Sequence, residues 1–388
     1  MLPDKYGNGC VDFQSDLHNC GSCGNDCSSQ GSSSCKSGKC SALSVAVRLV
    51  AAGDGHTCVV TDSGAAQCWG SNSDGQLGNG TSAYSSIPVS VTGLSSGVTA
   101  ISAGGAQTCA LMNTGGVKCW GTVGGNTPTD VSDLTSGVAA ISVGWLHICA
   151  VLSTGAAKCW GKNYYGQFGN GLSGDVSSVP VDVSGLASGV AAISAGYAHT
   201  CALLHSGGIK CWGDGLYGDL GILTWASVTP VDVSELTSGA AAVSAGNFRT
   251  CALTSSGGVK CWGWGNSGAL GNGATSSSAT PVDVTGVSTA VSLSLQSSHV
   301  CVVLASGALK CWGGNVYGQL GNNTTVDSLT PTDVSGLSSG VAAVTTGGAH
   351  SCALLSDGKL KCWGHNHYGQ VGDGTNIDRH TPVDVVGF

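Results

Sequence analysis

Proline and charge are both scarce in this chain of 388 residues, with Pro 8 and Asp, Glu, Lys and Arg together at 9%. A basic excess is missing as well. The formal net charge is -8 and the isoelectric point about 5.5, so no cationic footprint exists for a nucleic acid partner. No apolar run approaches the roughly 20 residues of a spanning helix, and no membrane span is expected. The opening MLPDKYGNGC has no apolar signal core, so either an export signal has been removed or the chain stays inside. Paired carboxylates, a nucleophile elbow and a helix-opening phosphate loop do not stand out, and the GNG loops supply turns. The chain is therefore read as a non-enzyme, with no cofactor and no metal.

What is abundant is glycine and cysteine, Gly 64 and Cys 20. Glycine without proline, mixed with Val, Ala, Ser and Thr, suggests an all-β chain with many tight turns. An even and large cysteine count suits an oxidising compartment, so the expected location is extracellular or at the cell surface. Fourteen of the cysteines recur as pairs ten residues apart: Cys58/Cys68, Cys109/Cys119, Cys149/Cys159, Cys201/Cys211, Cys251/Cys261, Cys301/Cys311 and Cys352/Cys362. A fixed period of about 50 residues marks a solenoid or propeller. Each unit carries Trp-Gly after its second cysteine, and most continue into a loop such as DGQLGNG (74–80). The second unit lacks that loop.

Segments such as TCALL, KLKCW, PVDV and VAAIS read as four short strands per unit. Seven units of four strands predict a seven-bladed β-propeller over 44–388, closed into a ring without long exposed edges. The last unit ends at TPVDVVGF (381–388) without a fourth strand, and SVAVRLVAAG (44–53) matches the missing piece. This N-terminal strand is expected to complete the last blade and close the ring.

With Ser63 at a hairpin tip, strand positions pair so that Cys58 falls opposite Cys68. Opposed residues of this kind come close to disulfide range. Zinc would need four converging ligands, and pairs on different blades stand apart. Structural disulfides are the preferred reading, and buried free thiols the alternative. Residues 1–43 form a separate cysteine-rich module with Cys10, Cys20, Cys23, Cys27, Cys35 and Cys40. Three disulfides would replace a core too small to form. A metal or iron–sulfur site on Cys20-x-x-Cys23 is the alternative.

The combination of Gly-x-x-His, a short hairpin, Trp-Gly and Gly-Gln-Leu-Gly resembles the regulator of chromosome condensation repeat family, over about 44–388. The resemblance implies a propeller. It leaves open several roles, among them nucleotide exchange, unassigned secreted proteins and beta-lactamase inhibition. Similarly, NCGSCGNDC resembles small cysteine modules of secreted bacterial proteins.

Two residue sets remain. His56, His147, His199, His299 and His350 precede the first cysteine in five units, with Gln107 and Arg249 in the others. On innermost strands they would ring the axis, where a metal could in principle bind. One residue per blade argues instead for a repeated backbone contact. The lysines before Cys-Trp, such as Lys118 and Lys361, are repeated in the same way. The second set breaks the repeat. Trp145, Leu146, Tyr164 and Tyr165 belong to unit three, Tyr197, Leu216 and Tyr217 to unit four, and Phe248 and Trp264 to unit five. Their loops should emerge on one face, where other units carry Gly105-Ala106 or Ser297-Ser298. Trp225, in the atypical GILTWASV loop, belongs either to this set or to the rim. Clustered aromatics point to a binding patch for a protein or glycan, and in the beta-lactamase inhibitory propeller of the resembled family comparable loop positions engage the partner. The alternative is a structural subunit of a self-assembling extracellular fibre or coat, with the N-terminal module docking on a neighbouring copy. Asn79-Gly-Thr and Asn322-Asn-Thr match glycosylation acceptors, but read equally as turns.

Overall fold

A computed structural model describes residues 45–388 and, before them, the strands Ser34–Lys36 and Lys39–Ser41. These two strands pair antiparallel with Cys35 opposite Cys40. Cys10, Cys20, Cys23 and Cys27 lie outside the described residues. The chain divides into two units, Met1–Ala46 with Gly387–Phe388, and Val47–Val386.

The second unit is a seven-bladed propeller. Its blades run Val47–Ser90, Val98–Asp130, Val138–Asp182, Val190–Asp232, Ala240–Asp283, Ala290–Asp333 and Val341–Asp384, each a four-stranded antiparallel sheet in sequence order. The first strands touch their counterparts on both neighbouring blades and so form the inner wall. Around the axis they leave a cavity of about 170 Å³, lined among others by Ser102, Ser142, Ser194 and Ser294. The second strands, such as His199–Leu204, are apolar and buried on both faces because each is sandwiched between blades. The fourth strands form the exposed outer edge.

Closure differs from the expectation. Val47–Ala52 pairs with His56–Thr61 and is the first strand of blade one, while blade seven supplies all four of its own strands. The N-terminal strand therefore does not complete the last blade. The link Gly53-Asp54-Gly55 is too short to carry the chain to another sheet, and a short link favours a hairpin. The ring closes through side chains and a loop. Thr57 bonds His350 of blade seven at 2.8 Å, and the Trp69 indole donates to the Gln370 carbonyl at 2.9 Å.

That joint repeats around the ring. The loop after Trp-Gly crosses to the next blade, where its carbonyl at Gln76, Gln167, Asp219, Ala269, Gln319 or Gln370 accepts the indole N–H of that blade's tryptophan. The next loop residue packs on the same indole, as Leu77 does on Trp120 and Phe168 on Trp212. Glycine must follow: Gly78 has φ 66°, and a Cβ there would stand 2.7 Å from the Trp120 Nε1. Each buried indole removes roughly 200 Å² from water, stabilising by about 5 kcal/mol.

Within each blade the second and third strands hold the cysteines in register. Cys58 stands opposite Cys68, Cys109 opposite Cys119, Cys149 opposite Cys159 and Cys201 opposite Cys211. The last three blades repeat this with Cys251 opposite Cys261, Cys301 opposite Cys311, and Cys352 opposite Cys362. All seven pairs form disulfides with Cα atoms 4.1 Å apart, so none of these cysteines is a free thiol. Six blades add an exposed pair between third and fourth strands, such as Lys118–Asp130 at 2.8 Å. Blade one places Gln67 opposite Ser90 instead.

Candidate functional site

The cysteines are scaffold and not site. Cys211, Cys261, Cys311 and Cys362 are fully buried on third strands, as are their partners Cys201, Cys251, Cys301 and Cys352 on second strands. None of these eight lines the axial cavity or the cavities at the aromatic loops described below. They fix the hairpins from which the candidate residues project.

The histidine set occupies second strands, not the innermost ones, and none of the five lines the axial cavity. Each imidazole Nε2 meets a hydroxyl of the following blade: His56 and Thr108 at 2.8 Å, His147 and Thr200 at 2.6 Å, His199 and Thr250 at 2.9 Å, His299 and Ser351 at 2.7 Å, His350 and Thr57 at 2.8 Å. The hydroxyl in turn donates to the capping-loop carbonyl, as Thr108 does to Gln76 at 3.0 Å. The imidazole Nε2–H must therefore be the donor to the hydroxyl, which leaves Nδ1 bare. Burial pushes these five imidazoles down to about 3, so they are neutral near pH 7. The two exceptions follow the same logic. Where the next blade carries Ile148 or Val300 instead of a hydroxyl, the residue is Gln107 or Arg249, and each donates to a backbone carbonyl. The ring is a set of joints. Among the described residues, no group of three or more His, Cys, Asp or Glu is arranged to hold a metal.

Blade four varies the joint. Asp219 replaces the usual loop glutamine, and its carboxylate stands 3.3 Å from the His199 Nδ1 with both groups buried. Burial raises the Asp219 carboxyl to about 7. The His199 Nδ1 and both Asp219 carboxyl oxygens have no other hydrogen-bond partner among the described residues, and a single proton on the pair leaves no lone buried charge.

The aromatic set is brought together. His147 pairs with Gly161, so the loops before the second strand and after the third emerge at one end of each blade. There Trp145 and Tyr197 have ring centroids 5.6 Å apart, Tyr197 and Phe248 5.1 Å, Phe248 and Tyr217 5.1 Å, and Tyr217 and Trp264 5.3 Å. The result is one continuous row across blades three, four and five. Phe248 sits at φ 59°, a conformation costly for a bulky side chain, which its three ring neighbours hold in place. Beneath the row, the Arg249 guanidinium lies 5.9 Å from the Trp264 ring centroid. Burial draws its pKa down to about 10, and it remains cationic. Arg249, Trp264, Asn247 and Ser297 line a cavity of about 220 Å³.

Trp225 joins this surface. It is 77% exposed and shares a cavity of about 430 Å³ with Leu216, Tyr217 and Leu223. Tyr164 and Tyr165 are exposed on blade three but make no ring contact with the row among the described residues. Leu146 lies instead with Trp145 over a cavity between blades two and three.

A second aromatic group, not anticipated from sequence, sits on blades six and seven. Tyr317 lies 4.4 Å from His365, His365 6.2 Å from His367, and His367 4.9 Å from Tyr368, by ring centroids. His365 directly follows Trp363-Gly364 as Trp264 follows Trp262-Gly263, so the same reading of post-Trp-Gly positions would have found it.

Fold and joints define the class, a seven-bladed β-propeller whose blades are crosslinked internally by disulfides and to one another through capped tryptophans. The chain belongs to the regulator of chromosome condensation (RCC1) repeat family. That repeat matches residues 47–76, 138–167, 190–219, 240–269, 291–319 and 341–370, and in a second, overlapping definition 63–111, 158–203, 256–303 and 306–354. The Ultraviolet-B receptor UVR8 of Arabidopsis thaliana is 49% identical over 45 residues, 12% of this chain and 10% of the receptor. Among solved structures, Prp20p from Saccharomyces cerevisiae aligns with a TM-score of 0.74 and 18% identity over 88% of this chain and 87% of that one. Human WBSCR16 aligns with a TM-score of 0.70 and 21% identity over 79% and 85%. At these identities the likeness is one of fold. Prp20 has also been solved with Kap60 bound.

Proposed function

We propose that this propeller is a non-catalytic recognition module, exported to an oxidising compartment, that holds a partner protein through the aromatic face of blades three to five. RCC1-like propellers commonly mediate protein binding, and they are typically binding or exchange-factor scaffolds. The observation that carries the reading is the unbroken row from Trp145 through Tyr197, Phe248 and Tyr217 to Trp264. Large rings held by one another present area at little entropic cost, the composition of binding hot spots. Arg249 at the floor favours an acidic group on the partner, and the flanking Leu223 and Trp225 widen the apolar contact. The disulfides support the choice of compartment.

The test is capture from the extracellular milieu of the source by the immobilised chain, in wild type and in a Trp145→Ala/Phe248→Ala variant. The variant should lose at least tenfold in capture while its thermal unfolding keeps a single cooperative step. Unchanged capture would remove the patch from the reading. A glycan array separates protein from carbohydrate partners. Sedimentation addresses the alternative of an extracellular fibre or coat, since a mass independent of concentration sinks it.

A further inference from the structure

Blade two lacks the loop that caps the tryptophan of the next blade. Where blade one spends Ser71–Tyr84 on that crossing, blade two turns at once through Thr122, Val123 and Gly124 into its fourth strand. Trp160 of blade three occupies the same register position opposite Ile148 that Trp120 occupies opposite Thr108. Yet among the described residues no carbonyl accepts its indole N–H, and blade two has no loop Leu or Phe in the place that Leu77 and Phe168 take at Trp120 and Trp212. It is 3% exposed where the six capped tryptophans are each 0%. Over it opens a cavity of about 320 Å³, with Val123, Trp145, Leu146 and Val176 among its walls. Val123 and Val176 are exposed apolar residues at the rim.

The six filled joints show what complements this slot. In each, the Trp N–H donates to a backbone carbonyl, the next residue is usually Leu or Phe and lies on the indole, and a glycine then turns the chain away. Ile148 replaces the hydroxyl that in five of the six filled joints shares the carbonyl, as Val300 does in the sixth, so one acceptor and one apolar side chain are what the slot lacks. We infer that the slot between blades two and three binds a turn of a partner protein, of the form x-Leu-Gly or x-Phe-Gly, which caps Trp160 in trans. The carbonyl of x accepts the Trp160 indole N–H, the Leu or Phe fills the cavity, and the glycine allows the exit. The inference stands on the missing loop and does not require the aromatic row to bind anything.

Indole ¹⁵N–¹H spectra of the full chain test it. Phe replacing Trp160 (W160F) identifies its signal, and assignment through Ile148→Val perturbation serves if W160F does not fold. In the free chain this indole should exchange with solvent at least tenfold faster than those of Trp120 and Trp212. The probe is acetyl-Gly-Gln-Leu-Gly-Asn-amide, the chain's own capping sequence, with an Asp-for-Leu peptide as control. The Leu peptide at millimolar concentration should shift the Trp160 signal, and the control should not. Grafting the blade-one loop in place of Val123 should weaken the peptide's effect at least tenfold, while Phe248→Ala leaves it unchanged. A Trp160 indole as protected as that of Trp212 in the free chain, no shift with the Leu peptide, or equal shifts in the grafted variant would each overturn the inference.

Discussion

A single buried histidine illustrates how far residue identity follows from its neighbour across the joint. His56 donates from Nε2 to Thr108, which donates to Gln76. Removing the imidazole with His56→Ala deletes one bond of a buried chain and leaves a void, a loss of about 2–3 kcal/mol. Denaturant unfolding should record it. The double variant His56→Gln/Thr108→Val combines identities taken from two different joints, an amide reaching a backbone carbonyl as at Gln107, and valine beneath a capping loop as at Val300. It should recover more than half of the loss; no recovery would mean the histidines do more than join blades. The repeat makes this set legible, since one residue per blade signals a shared backbone role. Its partner is not legible, because the hydroxyl lies about 50 residues away and only the ring brings it near. The same holds for the aromatics. Their departure from the repeat is visible in Trp145 and Phe248, whereas their contact with one another depends on blade-to-blade geometry.

At the scale of the blade, the hairpin carries both the disulfide and the sequence's clearest signal. The spacing of the cysteines and the Ser-Gly turn implies that Cys58 faces Cys68, and the register agrees there and in every later blade through Cys352 and Cys362. A crosslink across so short a loop restricts the unfolded chain modestly, so Cys149→Ala/Cys159→Ala should cost about 2–3 kcal/mol and leave the fold intact. Equilibrium unfolding of the variant against wild type measures this; loss of all cooperative unfolding would show that the hairpin cannot form without its bridge. Blade phase is harder to read than blade number. A repeat of four strands looks the same wherever counting begins, so Val47–Ala52 could be assigned to either end of the ring. The deciding fact is physical and local: Ala52 and His56 are separated by Gly53-Asp54-Gly55, and adjacent strands with so short a link pair with each other. Tight coupling through Thr57, Trp69 and Gln370 then closes the ring without exchanging a strand.

The ring as a whole has a pH dependence that no single blade would show. Five imidazoles are held neutral, their pKa values lowered by burial from 6.5 to about 3. Between those limits the unfolded chain takes up protons that the native chain refuses, so stability is full above pH 6.5 and falls as the pH drops toward 3. Asp219 acts in the opposite sense, since its folded value of about 7 lies above the unfolded 3.8 and it keeps a proton that the unfolded chain releases. Asp54 and Asp214, whose carboxyls burial also raises, work in the same direction as Asp219. Because Asp219 faces His199, that pair roughly cancels and four imidazoles set the balance. At roughly 1.4 kcal/mol per pH unit below 6.5 for each, the four imidazoles lose on the order of 8 kcal/mol between pH 7 and 5, which the carboxyls of Asp54 and Asp214 oppose. Thermal unfolding should therefore move down by several degrees over that interval, and Asp219→Asn should steepen the fall, since it removes the opposing term. A midpoint unchanged from pH 7 to pH 5 would show that the joints accept a second proton.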